Sequence, residues 1–515
     1  MCRYAQLNKA DPAGPCARSR KARAGTHGGL GLGRKRPEAG CAPACQRRES
    51  LSAPSPESPS ESAHQNLPDE DAPLLGADLT VGRRRVGLAA WCLYDWANSA
   101  FNTVIGTFIF SVYFARGIYG DETAGAAVWT YALGAAGLIV AVLSPILGSI
   151  ADRGGRRKPW LFAFMMNTVI ATSLLYFARP DESFVIYAIA LMIIASITFE
   201  LGTVFYNSML PTIAPPNMTG RISGWGWAMG YMGGLGSLAL CLVLLIQAEE
   251  PFFGLVGTDD AQNVRATVLV VAAWFLFFSL PLFFLTPDTP ASPAPMREHI
   301  RKGLKVLWNT LKQIRHQGHL VRFLIASALY RDGLSTLFAV GGLYAAGTFG
   351  MTFDQILIFA IGLNVTAGLG AASFAFVDDW IGPKATILIA LGSLIALGSA
   401  ILMVDDLIVF IVLALGLGIF VGPAQAAGRS MMSRLTPKSM ESEMFGLYAL
   451  AGKSISFLGP VLYATATTIF DSQRAGMATI VLVWSAGALL LATVPAPKAR
   501  RPDAPKAVVT GAGGG

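Results

Sequence analysis

The chain has 515 residues, of which 53% are hydrophobic and 14% are charged, and its mean hydropathy is +0.50. Soluble domains usually carry about 25% charged residues, so most of this chain need not face water. The formal net charge is +8, but no basic stretch is interleaved with aromatic residues on a polar surface, which argues against a nucleic-acid partner. The composition therefore favours an integral membrane protein, with the lipid bilayer as its main surrounding.

Both ends of the chain are predicted to be disordered tails. Residues 1–85 are rich in Ala, Pro, Ser, Gly and Arg and lack apolar periodicity, and residues 495–515 form a second tail. Cys41 and Cys45 are the only close cysteine pair, and no His or Cys partner set lies beside them. We therefore expect no metal site and no cofactor.

Twelve apolar runs are long enough to cross a bilayer, which takes roughly 20 mainly apolar residues. Numbered as spans 1 to 12, they lie at residues 89–117, 125–150, 160–178, 183–208, 223–247, 264–285, 320–347, 353–377, 385–404, 407–427, 445–469 and 475–493. The pattern predicts an all-α polytopic membrane protein, with an N-terminal six-helix bundle at 86–286, a cytoplasmic linker at 287–319 and a C-terminal six-helix bundle at 320–494.

The positive charges predict the orientation. One set of loops carries most of the Lys and Arg residues, including Arg156 and Lys158 after span 2, whereas the other set is acidic, with Asp121 and Glu122 after span 1. Loops rich in Lys and Arg stay in the cytoplasm, so both termini are predicted to be cytoplasmic, in agreement with an even number of spans. Because no sorting signal is visible, we expect the plasma membrane rather than a vacuole or another organelle.

The linker contains a second element that suits a membrane. One face of its predicted helix carries apolar residues at steps of four and three, namely Ile300, Leu304, Leu307, Leu311 and Ile314. Basic residues occupy much of the remaining surface. We predict a helix that lies on the anionic inner leaflet and ties the two bundles together. The alternative is a solvated linker helix, because basic amphipathic helices are not specific to lipid.

An internal repeat relates the two bundles. A shift of about 222 residues places Ser208 on Ser430 and Gly224 on Gly446, across the end of span 4 and the start of span 5. The individual matches are weak, but together they predict that spans 1–6 and spans 7–12 are parallel repeats. In such proteins the axis between the repeats runs along the membrane normal, and the substrate site lies between them.

A sequence motif stands in the loop between spans 2 and 3. Its fixed positions are Gly148, Asp152, Arg153, Gly155, Arg156 and Arg157. Gly148 allows a neighbouring helix to approach closely, and the Asp152 carboxylate suits a helix N-terminus or a cation across the interface of the two halves. We predict a gating role, the alternative being a merely basic loop. A weaker copy follows span 8 around Asp378 and Asp379.

This pattern, with five shorter stretches, marks a resemblance to a known family. Gly-x-x-x-Asp-Arg-x-Gly-Arg-Arg is the pattern of the major facilitator superfamily, and the stretches at 93–101, 205–211, 221–227, 330–333 and 445–450 resemble its autophagy-related vacuolar effluxer family. The resemblance covers residues 91–493 approximately. It implies the major facilitator fold and secondary transport of a small solute by alternating access, with amino-acid efflux as the expected activity.

Four charged residues fall inside spans that line the central cavity in that superfamily. They are Asp95, Glu200, Arg331 and Asp332. A charge near the bilayer centre costs at least about 2.5–3.5 kcal/mol, so each should face a cavity or the protein interior. We predict that Asp95 and Glu200 form a proton-binding pair, that Arg331 binds a substrate carboxylate, and that Asp332 fixes Arg331 or binds a substrate ammonium. The alternative is structural pairing of Asp95 or Asp332 with Arg331.

Uncharged polar residues complete the predicted substrate site. They are Asn98, Asn102, Asn364 and Gln425, with hydrogen bonding between helices as the alternative role of each. Arg429 and Lys453 lie nearer the cytoplasmic ends of their spans, and Lys453 suits either an inner gate or snorkelling toward water.

Transport of a small solute, with protons as the coupling ion, is the expected function. An enzyme is not expected, because no nucleophile–His–acid set is visible, and no phosphate-binding loop indicates ATP hydrolysis. Two alternatives stay open. One is a proton-driven exporter of drugs or metabolites on the same fold. The other is a membrane receptor or scaffold that transports nothing.

Overall fold

The computed structural model describes residues 80–248, 251, 254–314 and 317–496. Most of the two tails predicted at 1–85 and 495–515, and the Cys41–Cys45 pair, lie outside these residues. The N-terminal bound is corrected, because residues 81–85 belong to the helix Val81–Ala100. All regular elements of the described part are helices. The described residues belong to one compact unit.

In the part of the chain that the structure describes, twelve helices are long and apolar enough to cross a membrane, which confirms the predicted all-α, twelve-span fold. Spans 1–6 cover Val81–Ile118, Glu122–Gly154, Lys158–Phe177, Glu182–Ile213, Thr219–Ile246 and Asp259–Leu285. Spans 7–12 cover Gly318–Phe349, Gln355–Ile381, Pro383–Ile401, Leu407–Leu435, Glu441–Phe470 and Gln473–Ala492. Between the two sets lies the linker helix, Met296–Ile314.

Capped, short loops make neighbouring spans antiparallel. At the start of span 2 the Asp121 carboxylate accepts the N–H of Ala124 at 2.8 Å, and such caps satisfy N–H groups that have no partner inside the helix. At the ends of spans 2 and 8, Gly155 and Gly382 have φ of 84° and 90°. Glycine adopts this region readily because it has no Cβ. Pro383 then begins span 9 without losing a hydrogen bond.

Several helices extend beyond their apolar runs at one end of the molecule. This end carries the loop after span 2 and the linker helix, and is called the basic end below. Span 5 begins at Thr219 rather than at 223, and span 10 ends at Leu435 rather than at 427. The added turns contain buried polar residues such as Ser430 and Ser433. They lie between the two halves instead of facing lipid, which is why apolar runs alone do not predict them.

Spans 1 and 11 are among the spans that depart from regular α-helix. Span 1 contains two π-helical stretches, Phe101–Phe108 and Phe114–Ile118, a geometry that often occurs at functional sites. Span 11 is interrupted between its segments Glu441–Ser454 and Leu458–Phe470. Both spans border the space between the two halves.

The two halves meet mainly at the basic end. Each half has its own hydrophobic core, rich in aromatic residues. Contacts between the halves join span 2 to span 11, span 5 to spans 8 and 10, and span 4 to spans 10 and 11. Within the described chain, spans 1 and 7 pack mostly inside their own halves. The molecule is therefore closed at the basic end and separated at the opposite end.

Candidate functional site

The first contact that closes the basic end is a carboxylate at a helix N-terminus. Asp152, at the end of span 2, accepts the backbone N–H groups of Ser442 and Glu443 at 3.0 and 2.8 Å. These two residues lie in the first turn of span 11, which begins at Glu441. The free N–H groups and the positive end of the helix dipole both favour an anion there. Asp152 therefore joins the two halves.

Arg157, a cation, strengthens the same contact between span 2 and the start of span 11. Its guanidinium donates to the Glu441 carboxylate at 2.8 Å and to the Ser442 hydroxyl at 3.2 Å, and its side chain is only 4% exposed. A buried ion pair with further hydrogen bonds is strongly sensitive to the loss of one partner. Arg157 and Asp152 thus hold the same helix N-terminus together.

The other motif positions have simpler surroundings. A Cβ on Gly148 would overlap the backbone carbonyl of Ser442, so the absence of a side chain lets spans 2 and 11 touch. Gly155 ends span 2, and its carbonyl accepts the Thr289 hydroxyl from the segment before the linker helix. Arg153 is half-buried and Arg156 is exposed. The motif residues thus divide into contact residues and surface charges.

A second carboxylate mirrors Asp152 in the other half. Asp379, at the end of span 8, accepts the backbone N–H groups of Gly220 and Arg221 at 2.8 and 3.1 Å, in the first turn of span 5. The repeat shift of about 222 residues carries these two positions onto Ser442 and Glu443. The Arg434 guanidinium also donates to Asp379 at 3.2 Å. The closed end is therefore held by two equivalent contacts, one from each half.

Asp95 has a cationic partner that the sequence did not predict. The Arg429 guanidinium, on span 10, donates to its carboxylate at 2.9 Å and to the Asn207 side chain at 3.2 Å. Two further bonds go to the hydroxyl and the carbonyl of Ser223, and the guanidinium lies 4.9 Å from the ring centre of Trp91. Arg429 thus links spans 1, 4 and 5 to span 10.

Glu200 also pairs across the two halves. Its carboxylate accepts the Lys453 ammonium of span 11 at 2.6 Å, and each side chain is about one third exposed. The prediction of an Asp95–Glu200 pair is therefore corrected: each carboxylate has its own cation, and no hydrogen bond joins the two within the described residues.

The Glu200–Lys453 pair borders a cavity of about 230 Å³. The cavity lies between spans 1, 2, 4 and 11, and its other lining residues include Phe101, Asn102, Leu133, Met192, Ser196 and Phe199. Its wall is therefore largely apolar, with a few polar groups, as is usual for small-molecule sites. The exposed Asn102 and Thr107 continue it toward the end opposite the basic end.

Arg331 lies beside this pair without an acidic partner in the described chain. Its guanidinium stacks over the Tyr448 ring at 4.5 Å, and Nη1 is buried without a hydrogen bond. A Cβ on Gly452, next to Lys453, would lie 3.3 Å from Nη1, and Glu200 is near enough to act on Arg331 electrostatically. A buried donor without a partner is costly, so this guanidinium suits an incoming anion.

No hydrogen bond or ion pair joins Asp332 to Arg331 in the described chain, which corrects one of the two roles predicted for Asp332. Its Oδ2 accepts the backbone N–H of Gly459 at 2.7 Å, at the start of the second segment of span 11, while Oδ1 has no partner within the described residues. Asp332 is 3% exposed. It therefore ties span 7 to span 11.

The remaining predicted polar residues are spread along the spans. Asn98 is buried, and Asn102 lines the cavity. The Asn364 amide donates to the carbonyl of Ala360 in its own helix at 2.8 Å, and Gln425 is half-buried. Of these four residues, Asn102 is the one placed at the cavity wall beside Glu200.

A family model described as "Vacuole effluxer Atg22 like" matches residues 112–504, well over half of the chain. The chain belongs to this family. Among its relatives, the MFS-type transporter YxiO of Bacillus subtilis is 26% identical over 418 residues, covering 79% of this chain and 94% of that protein. Autophagy-related protein 22 of Yarrowia lipolytica is 23% identical over 435 residues, covering 67% of this chain and 71% of that protein.

Solved structures show the same fold. The proton:xylose symporter XylE matches with a TM-score of 0.63 and 15% identity, over 81% of this chain and 96% of XylE. The human organic anion transporter MFSD10 matches with a TM-score of 0.61 and 14% identity, over 79% of this chain and 99% of MFSD10. The protein is thus a multi-pass secondary transporter of the major facilitator superfamily, with the fold and family of transporters rather than enzymes.

Proposed function

We propose that this transporter carries out amino-acid efflux coupled to protons. The observation that carries the proposal is the charge balance beside the cavity, where two cations, Lys453 and Arg331, surround one carboxylate, Glu200. The carboxylate group of a bound amino acid would give the free Nη1 of Arg331 an acceptor and offset one of the two positive charges. An ammonium group on the same substrate would then meet Glu200. A zwitterion therefore matches the site better than an apolar amine.

Proton coupling is proposed through the same carboxylate. Protonation of Glu200 cancels its attraction for Lys453 and so weakens a contact between span 4 and span 11. Because this contact joins the two halves, proton uptake would change the balance between the states open at either end. XylE is a proton symporter of this fold, which makes coupling of this kind chemically reasonable here.

The proposed orientation places the basic end in the cytoplasm, with both termini on that side. The loops that hold Arg153, Arg156 and Lys158 support it through the positive-inside rule. The plasma membrane remains our prediction for the location, although the family description names a vacuole. Fractionation of cells that produce a tagged chain tests the location directly.

Transport by purified protein in vesicles tests the function. Vesicles loaded with unlabelled amino acids should accumulate labelled amino acids by exchange, and an imposed pH gradient should change the initial rate. Arg331→Gln should abolish exchange, and Arg331→Lys should restore it in part, because a lysine keeps the charge but not the planar donor pair. Arg322→Gln is the matched control, since Arg322 lies exposed in the same span.

The same transport assay separates the alternatives. Transport of apolar amines that does not depend on Arg331 would favour an exporter of drugs or metabolites. If vesicles containing folded protein transport none of the solutes tested, the result would favour a receptor or scaffold. Amino-acid exchange with an unchanged pH response in Glu200→Gln would remove the proton step and leave the substrate proposal intact.

A further inference from the structure

The linker helix, Met296–Ile314, presents one face to the protein. Successive residues of a helix are turned by about 100°, so His299, Gly303, Leu307 and Thr310 share a face, and the first three of them are buried. The Ser149 hydroxyl of span 2 donates to the Gly303 carbonyl at 2.7 Å. The helix is therefore fastened directly to the end of span 2.

A second face of the helix is apolar yet exposed. It is formed by Met296, Ile300, Leu304, Trp308 and Leu311. Trp308 is 60% exposed, whereas its neighbour in sequence, Leu307, is 6% exposed. The predicted apolar face is thus divided, because Leu307 turns into the protein. Exposed apolar residues in a continuous stripe indicate an interaction surface.

A third face, adjoining the apolar stripe, is basic. Its exposed residues are Arg297, Arg301, Lys305 and Lys312, which form no salt bridge within the described chain. Lys312 lies 5.1 Å from the ring centre of Trp308. The order around the helix is protein, apolar stripe, then basic face. This order suits a helix at a bilayer surface, with the apolar stripe in the acyl region and the cations at the headgroups.

The same helix reaches the contacts that close the basic end. Ser149, which bonds to Gly303, lies one turn before Asp152, and the Glu443 carboxylate interacts with the hydroxyls of both Thr310 and Ser149. The N–H of Glu443 is one of the two that Asp152 accepts. The linker helix therefore touches span 2 and the start of span 11 at the same time in the closed state.

We propose that the linker helix binds the surface of an anionic phospholipid bilayer, and that this binding stabilises the state closed at the basic end. The positive charge of the basic face favours an anionic bilayer surface as its partner, since each Lys or Arg near such a surface strengthens binding roughly fivefold. The Gly303, Leu307 and Thr310 contacts then transmit the position of the helix to spans 2 and 11. This coupling does not depend on which solute is carried.

Spin labels test where the helix lies. The full chain, with its other cysteines replaced, carries a label at Trp308→Cys or, as matched control, at Asn309→Cys on the exposed polar face. It is placed in vesicles of phosphatidylcholine with phosphatidylglycerol. The label at 308 should collide with oxygen and be shielded from a water-soluble nickel complex, and the label at 309 should meet nickel. Equal access of nickel to both positions, or shielding of 308 from both reagents, would overturn the proposal.

A second measurement tests the coupling. Labels at Asn217→Cys and Ser439→Cys, exposed at the basic end in opposite halves, report the closed and open distances by pulsed electron resonance. Phosphatidylglycerol should raise the closed fraction several-fold over phosphatidylcholine alone. Substitution of all four basic residues by Gln should remove this effect, whereas Lys305→Arg with Lys312→Arg should keep it. If phosphatidylglycerol does not change the closed fraction of the protein with an unaltered linker helix, the proposal is wrong. Misfolding of a variant cannot explain that result, because the helix carries no substitution.

Discussion

Replacement of Asp152 by Asn is expected to open the basic end. Asp152 accepts two backbone N–H groups of span 11, and hydrogen bonds to a charged group contribute about 1.5–3 kcal/mol each. Asparagine keeps one acceptor oxygen but loses the charge that the helix N-terminus and Arg157 favour. We expect the closed state to lose about 2–3 kcal/mol, which shifts its ratio to the open state by about 30- to 150-fold.

Alkylation of a buried cysteine measures this shift. Ser208 is fully buried at the closed end and bonds to the Ser442 hydroxyl, so Ser208→Cys should react with a membrane-impermeant thiol reagent only when that end opens. The reaction rate should rise with Asp152→Asn by the factor above. Asp181→Asn, an exposed change at the opposite end, should leave it unchanged. An unaltered alkylation rate in Asp152→Asn would show that the contact of Asp152 with span 11 does not hold the basic end closed.

Three further substitutions address the other contacts between the halves. Asp379→Asn should raise the same alkylation rate, and its effect should add to that of Asp152→Asn if the two contacts act independently. Arg429→Met should leave the Asp95 carboxylate without its cation and cost about 3–5 kcal/mol, seen as a lower thermal unfolding temperature that Arg429→Lys partly restores. Gly446→Val should force spans 2 and 11 apart, since a Cβ there would lie 2.6 Å from the Ser144 carbonyl oxygen. This overpacking should cost about 1–3 kcal/mol and lengthen the closed-state distance between spin labels on the two spans. An unchanged distance would contradict the close packing.

The span count was predictable because lipid requires long apolar helices whatever the tertiary structure. The sequence predicted a helix N-terminus or a cation across the interface as the partner of Asp152, and the structure places Asp152 at the N-terminus of span 11, with Arg157 of its own half 3.7 Å away. The span count depends on local patterns alone, whereas the contact of Asp152 with Ser442, 290 positions away, depends on how the two halves meet.

The ion pairs between the halves were not predictable from local patterns. Asp95 and Arg429 are separated by 334 positions, and their meeting depends on the angle at which the halves close. A usable signal was present, because the repeat shift of about 222 residues carries Asn207 onto Arg429, and the two side chains touch. Lys453 was expected at a gate or at the water surface, and its partner Glu200 could be chosen only from the structure.

The interruption of span 11 separates two mechanical tasks. Its first segment, Glu441–Ser454, carries the contacts of the closed end and Lys453, while its second, Leu458–Phe470, is tied to span 7 by Asp332. A continuous helix would transmit every tilt of the first segment to the second segment. With a joint at the break, we expect the segment at the basic end to swing while the second segment stays anchored to span 7, so that opening of the basic end need not disturb the opposite end.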